Sequence, residues 1–265
     1  MPESKSLPIA LVTGGSRGIG RAIARHLNQQ NFQVAITGRN PDSLKKARKT
    51  LGDSVHAYAG DASNPQDVEH IVSQVTKDLG PIDLLVNNAG ISGPGGPFIE
   101  WDPEDWWRVQ EVNLRGPMLF MRQVLPGMVE RKRGNVFNVG SYAAIFNLPG
   151  NAAYGVSKAA LARLTDAVAP ELEGTGVNLY CLSPGLVETD MTRDVPFLKE
   201  IPPEEWSKQE DICHLISRLL EANCSALSGH FFHVNDDFDT ILEQTEKITA
   251  NGLYRLGMHN LNGKI

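Results

Sequence analysis

Tyr154 and Lys158 are the residues of this chain whose types and spacing point most directly to chemistry. They lie four positions apart at the start of a run of good helix formers, so one helix face should carry both side chains. A phenol has a reference pKa of about 10, and a neighbouring ammonium lowers that pKa by favouring the phenolate. The pair can therefore exchange a proton near neutral pH. The alternative is a surface helix with a solvated lysine, so other motifs in the sequence must show whether the pair is catalytic.

A glycine-rich turn near the N-terminus joins a short apolar segment to a helical pattern. Residues 9–12 are typical of a buried strand, and Thr-Gly-Gly-Ser-Arg-Gly-Ile-Gly follows at residues 13–20. Glycines allow close approach of the backbone to a pyrophosphate, and a helix N-terminus offers free N–H groups to it. A tight turn without a ligand is the alternative. We predict that the nucleotide-binding residues of this turn are Gly14, Ser16, Arg17, Gly18, Ile19 and Gly20.

The end of the next predicted strand indicates which dinucleotide is bound. Residues 33–37 form this strand, and Arg39 follows where a chain selecting NAD would offer Asp or Glu to the ribose 2′-hydroxyl. Arg39 can instead bind a 2′-phosphate bidentately, and Arg17 can add a second charge. We therefore predict NADP(H) rather than NAD(H). The alternative is that Arg39 is an exposed loop residue before the helix that starts near residue 40.

Several motifs together resemble those of the short-chain dehydrogenase/reductase family. They occur in the family's order over about residues 7 to 235, and Ser141 precedes Tyr154 by thirteen positions. The motifs are residues 13–20, residues 87–90, Asn113, Ser141, residues 154–158 and residues 183–185. The resemblance implies an oxidoreductase that transfers hydride between NADP(H) and a carbonyl compound or secondary alcohol. A catalytically silent protein that senses NADP(H) on the same fold is the alternative.

The resemblance also implies catalytic roles. Tyr154 would be the general acid in ketone reduction and the base in alcohol oxidation, while Ser141 would bond the substrate oxygen. Lys158 would lower the tyrosine pKa and hold the nicotinamide ribose, and Asn113 would anchor a water that replenishes the proton. Because the cofactor supplies the hydride, this chemistry requires no metal. Taken singly, Asn113 could instead be a structural polar residue, and Ser141 could simply end a strand.

Further cofactor contacts follow from the same resemblance. Asp61, after the apparent strand at residues 55–59, resembles the family's adenine contact, and Ala62 lies beside it. The residues expected on the adenosine ribose side are Asn87, Ala89 and Gly90. Those expected to face the nicotinamide carboxamide are Pro184, Gly185, Val187 and Thr189.

Alternating apolar and helical segments predict the fold class. Strand-like runs near residues 9, 33, 55, 82, 135 and 177 alternate with helical patterns, and residues 231–234 would add a seventh strand. This order predicts an α/β protein with one doubly wound, Rossmann-like domain over residues 1–265, with a seven-stranded parallel sheet and helices on both faces. Residues 190–209 are predicted to form a substrate lid, or alternatively an oligomer contact. The tail at 238–265 departs from the family pattern, because an Asn-Asp-Asp sequence at 235–237 stands where many relatives have an aspartate and paired glycines.

Composition bounds the partners. The formal charge of −6 argues against a general affinity for nucleic acid, and no apolar stretch is long enough to span a membrane. The three cysteines are widely spaced, which suggests neither a disulfide framework nor a metal cluster. We expect a cytoplasmic enzyme, and by analogy with relatives a homodimer or homotetramer. Apolar residues at 143–146, 148 and 186 predict a small-molecule substrate with an apolar portion.

Overall fold

The computed structural model describes residues 7–193, 195–257, 259–260 and 263–264. Within these ranges, seven parallel strands form one sheet, which confirms the predicted fold class. The strands are β1 (Ile9–Thr13), β2 (Gln33–Gly38), β3 (Val55–Ala59), β4 (Leu84–Asn87), β5 (Gly134–Val139), β6 (Val177–Ser183) and β7 (Phe231–His233). Their spatial order is β3-β2-β1-β4-β5-β6-β7. The order reverses between β1 and β4, where a doubly wound sheet opens a crevice at the carboxyl ends of its strands.

Helices cover both faces of this sheet. They are α1 (Gly18–Gln29), α2 (Pro41–Leu51), α3 (Pro65–Asp78), α4 (Pro103–Gln110), α5 (Gly116–Glu130), α6 (Ala152–Val168) and α7 (Gln209–Ala222). Side chains alternate along each strand, so Val12 packs with α1, α2 and α7 on one face, while Leu11 packs with α3 and α5 on the other. The two faces therefore have separate apolar cores.

Local sequence signals explain where several of these helices begin. The side chains of Asn40, Asn64 and Asp102 accept backbone N–H bonds at the starts of α2, α3 and α4, and a proline follows each of them. Helix α1 differs, because its N-cap residue Arg17 makes no side-chain capping bond and no acid lies in its first turn. The first turn of α1 is thus left without a capping side chain.

A π-helical turn, Glu111–Arg115, interrupts the path from α4 to α5. Such turns change the hydrogen-bond spacing along a helix and often mark functional positions. Asn113 lies at the centre of this turn and is fully buried. No sequence pattern predicted the turn.

The C-terminal tail packs onto its own chain. It forms α8 (Phe238–Glu243) and α9 (Thr245–Asn251), followed by the short antiparallel strands β8 (His259–Asn260) and β9 (Gly263–Lys264). Phe238, Ile241 and Ile248 are buried in the same apolar core as α1 and α7. Residue 194 of the predicted lid and residues 258, 261, 262 and 265 of the predicted tail lie outside the described residues, as do residues 1–6.

The described residues contain no group of three or more His, Cys, Asp or Glu side chains arranged to hold a metal ion. None of the described helices has the length and apolar character needed to cross a bilayer.

The tail's share in the core can be tested with two isoleucines. Ile241 is 2% exposed, whereas Ile99 is 89% exposed. Ile241→Ala should lower the free energy of unfolding by about 2–5 kcal/mol, because it leaves a cavity in the core. Ile99→Ala is the matched control and should change it by less than about 0.5 kcal/mol. Urea denaturation measures both, and equal small changes would show that the tail is not part of the core.

Candidate active site

The structure brings Tyr154 and Lys158 together near the N-terminal end of α6. The Lys158 ammonium lies 5.6 Å from the centre of the Tyr154 ring. Lys158 is only 4% exposed, and its Nζ donates a 2.8 Å hydrogen bond to the carbonyl oxygen of Val139, the last residue of β5. The two side chains therefore share one face of α6, as the spacing of four predicts, and they meet at the carboxyl end of β5.

Ser141 joins this pair from the loop after β5. It is the N-cap of a short 3₁₀ helix, Tyr142–Ala144, and its Oγ accepts a 3.2 Å bond from the Ala143 backbone N–H. Hydrogen bonding from Ser141 also acts to lower the pKa of the Tyr154 phenol, so the two hydroxyls are neighbours. The three predicted catalytic side chains Ser141, Tyr154 and Lys158 thus form one cluster.

The electrostatics of the cluster differ from the expectation that Lys158 lowers the tyrosine pKa. Burial raises the pKa of Tyr154 above its ordinary value and outweighs the opposing hydrogen bond from Ser141. Burial also lowers the pKa of Lys158 to about 8. Both directions have one physical cause, since a site with little water disfavours whichever form is charged. Tyr154 therefore carries its proton at neutral pH, and Lys158 remains mostly cationic.

The side chain of Asn113 is held by hydrogen bonds within the protein. Its Oδ1 accepts a bond from the Ile91 N–H, and its Nδ2 donates to the Ile91 carbonyl and to Ser157 Oγ, each at 2.9 Å. Both ends of the side-chain amide are therefore engaged by protein. Oδ1 keeps one acceptor position, and the water expected at Asn113 stays a prediction. The side chain links the π turn to the loop after β4 and to α6.

A cavity of about 640 Å³ runs along the carboxyl ends of the strands, and Tyr154 and Lys158 are among its lining residues. Most of the predicted cofactor contacts line it. These are Gly14, Ser16, Arg17, Gly18, Ile19, Gly20, Arg39, Asp61, Ala62, Ala89, Gly90, Tyr154, Lys158, Pro184 and Thr189. The structure thus collects residues from the turns after five strands and from helix α6 around one cavity.

Asn87 does not line this cavity, so its contact with the cofactor stays a prediction. It is 2% exposed, and its Nδ2 donates a 2.8 Å bond to Asn138 Oδ1 on the neighbouring strand. The next residue, Asn88, lines the cavity instead, and its Nδ2 donates a 2.9 Å bond to the Thr13 carbonyl. The doublet of asparagines signalled this site, but only the fold determines which of the two side chains faces the cavity.

Gly185 and Val187 lie outside the cavity lining. Gly185 has a φ of +73°, and a Cβ there would stand 2.0 Å from Ser207 Oγ, so the position needs glycine. Val187 is buried and forms an isolated bridge with Ser207. Through these contacts with Ser207, residues 190–209 pack against the turn after β6. Cofactor contacts by Gly185 and Val187 stay a prediction.

Two arginines that line the cavity, Arg17 and Arg39, differ in whether an acidic side chain pairs with them. Arg17 forms a 2.7 Å ion pair with Asp190, and both side chains are exposed. Arg39 lines the cavity, and none of the ion pairs among the described residues includes it. Arg39 therefore has its donors available to a phosphate, while Arg17 is paired with the first residue of the predicted lid.

The residues around the cavity fit a dinucleotide. Gly14 and Gly18 adopt positive φ angles of 65° and 52°. A Cβ at Gly20 would lie 2.4 Å from Asn88 Nδ2 and 2.5 Å from the Gly14 carbonyl oxygen, so a larger residue would close the turn. The uncapped first turn of α1 follows directly and leaves its N–H groups and partial positive charge for a pyrophosphate. The volume also lies in the range of small-molecule sites.

Comparison with known proteins decides the family. A family model described as short chain dehydrogenase matches residues 8–197. A short chain dehydrogenase from Pseudocercospora fijiensis is 37% identical over 265 aligned residues, covering 90% of this chain and 83% of the relative. The chain belongs to the short-chain dehydrogenase/reductase family. It is therefore an oxidoreductase of that family.

Solved members of the short-chain dehydrogenase/reductase family share this fold. The 3-ketoacyl-(acyl-carrier-protein) reductase of Brucella melitensis, solved with NADH, has a TM-score of 0.81 at 27% identity, covering 86% of this chain and 97% of that one. A variant of the actinorhodin polyketide ketoreductase, solved with NADPH, also has a TM-score of 0.81, at 28% identity, covering 88% and 97%. Both neighbours were solved with a nicotinamide dinucleotide, which is the class of molecule that fits the cavity.

The lowered pKa of Lys158 predicts a pH dependence of stability. The folded pKa is about 8, against a reference of 10.5, so between these values the unfolded chain binds more protons. The free energy of unfolding of the wild type should then rise relative to that of Lys158→Met, by about 2 kcal/mol from pH 7.5 to 10. Denaturant unfolding of both proteins at several pH values measures the difference, and groups that titrate in both proteins cancel. If the difference in free energy of unfolding between the two proteins is the same at every pH, the lowered pKa of Lys158 is contradicted.

Proposed function

We propose that the protein is an NADP(H)-dependent oxidoreductase that interconverts a carbonyl compound and a secondary alcohol. Tyr154 and Lys158 meet in the lining of the dinucleotide-sized cavity, with Ser141 beside the phenol, and this arrangement carries the proposal. NADP(H), when bound, supplies or accepts the hydride at the substrate carbon. The protein has to hold the substrate oxygen, stabilise charge on it and move one proton.

Tyr154 moves that proton. Its raised pKa keeps the phenol protonated at neutral pH, so in reduction its hydroxyl donates a proton to the substrate oxygen. The Ser141 hydroxyl bonds the same oxygen and keeps it within reach of the phenol. In oxidation the direction reverses, and the phenolate takes the proton from the alcohol. The hydride added at carbon and the proton added at oxygen together convert the carbonyl to the alcohol.

Lys158 supports both states of Tyr154. Its ammonium has three N–H donors, and the Val139 carbonyl takes one of them. Two donors remain for the hydroxyls of the nicotinamide ribose. The positive charge also favours the phenolate that forms once Tyr154 has given up its proton. Without that charge the buried phenolate would be less stable, and proton transfer would be slower.

Arg39 supports the choice of NADP(H) over NAD(H). It lines the cavity directly after β2, and no acidic side chain follows that strand before Asp42. A guanidinium with free donors can bind a 2′-phosphate bidentately. The neighbouring helix α2 starts with its own asparagine cap, so its first turn does not need Arg39.

The substrate is proposed to carry an apolar portion. Ile145 and Phe146 follow the Ser141 loop and are 52% and 63% exposed, and Met191 lines the cavity. Residues 190–209 return to the turn after β6 through the 2.8 Å bond from Ser207 N–H to the Leu186 carbonyl. This closed path supports a lid over the substrate.

No observation favours the silent sensor, because the acid and its supporting lysine are both in place.

The organisation of the whole protein stays a proposal. All seven long strands within the described residues share one sheet, which supports a single domain over residues 1–265. Assembly into a homodimer or homotetramer and a cytoplasmic location remain predictions from sequence.

Replacing the acid gives the first test. Tyr154→Phe keeps the ring but removes the proton, so kcat should fall by at least about 100-fold while the Kd for NADPH stays nearly constant. Activity is measured on the best compound of a panel of carbonyls and alcohols. Tyr58→Phe is the matched control, since the Tyr58 hydroxyl bonds Asp78 on the outer surface. Full turnover by Tyr154→Phe would refute the assigned acid.

Replacing the cofactor-selecting residue gives the second test. Arg39→Asp should shift the ratio of the Kd values for NADPH and NADH by at least about tenfold toward NADH, because an acid repels the 2′-phosphate and bonds a 2′-hydroxyl. Fluorescence titration measures both constants. Arg25→Asp, an exposed position on α1 that does not line the cavity, is the control and should keep the ratio. The same ratio in Arg39→Asp would contradict the NADP(H) assignment.

A further inference from the structure

Arg108 on α4 connects two segments that border the cofactor cavity. Its Nη2 lies 2.6 Å from Asp61 Oδ2, and its Nη1 donates to Ser63 Oγ at 2.7 Å. The same Nη1 lies 2.9 Å from Glu111 Oε2, at the first residue of the π turn. No motif in the sequence pointed to Arg108. Its three partners hold the guanidinium in one orientation.

The contacts of Asp61 leave its carboxylate with one acceptor position. Oδ1 accepts from both the N–H and the hydroxyl of Ser63, at 2.9 and 2.7 Å. Oδ2 accepts from Arg108. Each carboxylate oxygen has two lone pairs, so Oδ1 is saturated and Oδ2 keeps one. Arg108 therefore determines where the last acceptor of Asp61 points.

The position of Asp61 tells which part of the cofactor that acceptor meets. Asp61 lines the cavity at the end of β3, on the outer side of the glycine turn. The catalytic pair lies on the opposite side of that turn, so the nicotinamide end of a bound dinucleotide is there. The base at the other end of the molecule is adenine, whose exocyclic amine is a hydrogen-bond donor.

We propose that Arg108 is a positioning residue for adenine, which holds Asp61 so that its remaining acceptor meets the exocyclic amine. This inference rests on the proposed NADP(H) cofactor. The side chains of Arg108 and Asp61 are 35% and 29% exposed, and a pair this exposed adds little stability. Its role is orientation.

The ionisation of Asp61 agrees with an acceptor role. Burial acts to raise the pKa of this carboxyl, but the hydrogen bonds from Ser63 and the ion pair with Arg108 hold the pKa below its usual value. The carboxylate is therefore ionised at neutral pH and can only accept hydrogen bonds. It can bond an amine, and it repels a carbonyl oxygen at the same place.

The test compares NADPH with its deaminated analogue, in which hypoxanthine replaces adenine and a carbonyl oxygen replaces the amine. Fluorescence titration gives the Kd of each dinucleotide, without any turnover. The wild type should bind NADPH at least about tenfold more tightly than the analogue. Arg108→Gln should reduce this ratio to about threefold or less. Arg133→Gln removes a comparable Arg–Asp pair, that of Arg133 with Asp83, which lies away from the cavity, and should keep the full ratio.

Each other outcome has a definite meaning. A tenfold ratio that persists in Arg108→Gln overturns the proposal, even if both Kd values rise equally, because that is the result of a merely structural role. A wild type that binds both dinucleotides equally also overturns it. A wild type that binds neither overturns the cofactor assignment itself, so the two failures are distinct. If Arg108→Gln shows no cooperative thermal unfolding, Arg108→Lys replaces it in the test. The lysine ammonium keeps the charge but lacks the planar fork of a guanidinium, so the ratio of the two Kd values should fall. An unchanged ratio overturns the proposal.

Discussion

The active site depends on one buried charge, the ammonium of Lys158. A charged group away from water is costly unless hydrogen bonds replace its hydration. The carbonyl of Val139 supplies one such bond and so joins α6 to the carboxyl end of β5. Ser141 lies two residues beyond that carbonyl, and Tyr154 lies one helical turn before the ammonium. The requirement to satisfy one charge therefore brings together the three side chains that we propose as catalytic.

The same scarcity of water sets the protonation states there. It lowers the pKa of the lysine and raises that of the tyrosine, because each charged form loses its hydration. The sequence alone suggested the reverse for Tyr154, since it shows the charge four residues away but not the burial of the phenol. The result still suits a reductase. A protonated phenol beside a cation is an acid whose conjugate base is stabilised as soon as it forms.

Local patterns predicted the strands, the glycine turn and the catalytic trio, because these depend on alternation, turn chemistry and spacing within short segments. Three details of the site could not be predicted from the sequence. Which of Asn87 and Asn88 faces the cavity depends on how β4 pairs with β5. The engagement of the Asn113 amide by Ile91 and Ser157 depends on a π turn that no periodicity announces. The Arg108–Asp61 contact joins residues 47 positions apart.

The sequence by itself determined the family, the order of elements and the residue types proposed for the chemistry, since each is encoded in patterns a few residues long. The tertiary structure decided which of those groups are buried, which donors and acceptors remain free, and which side chains meet across the sheet. Arg17 shows the difference: its place in the glycine turn is a matter of sequence, but its pairing with Asp190 arises only when the turn after β6 folds over it. Charge and hydrogen-bond capacity belong to a residue, whereas hydration and partners belong to its position in space.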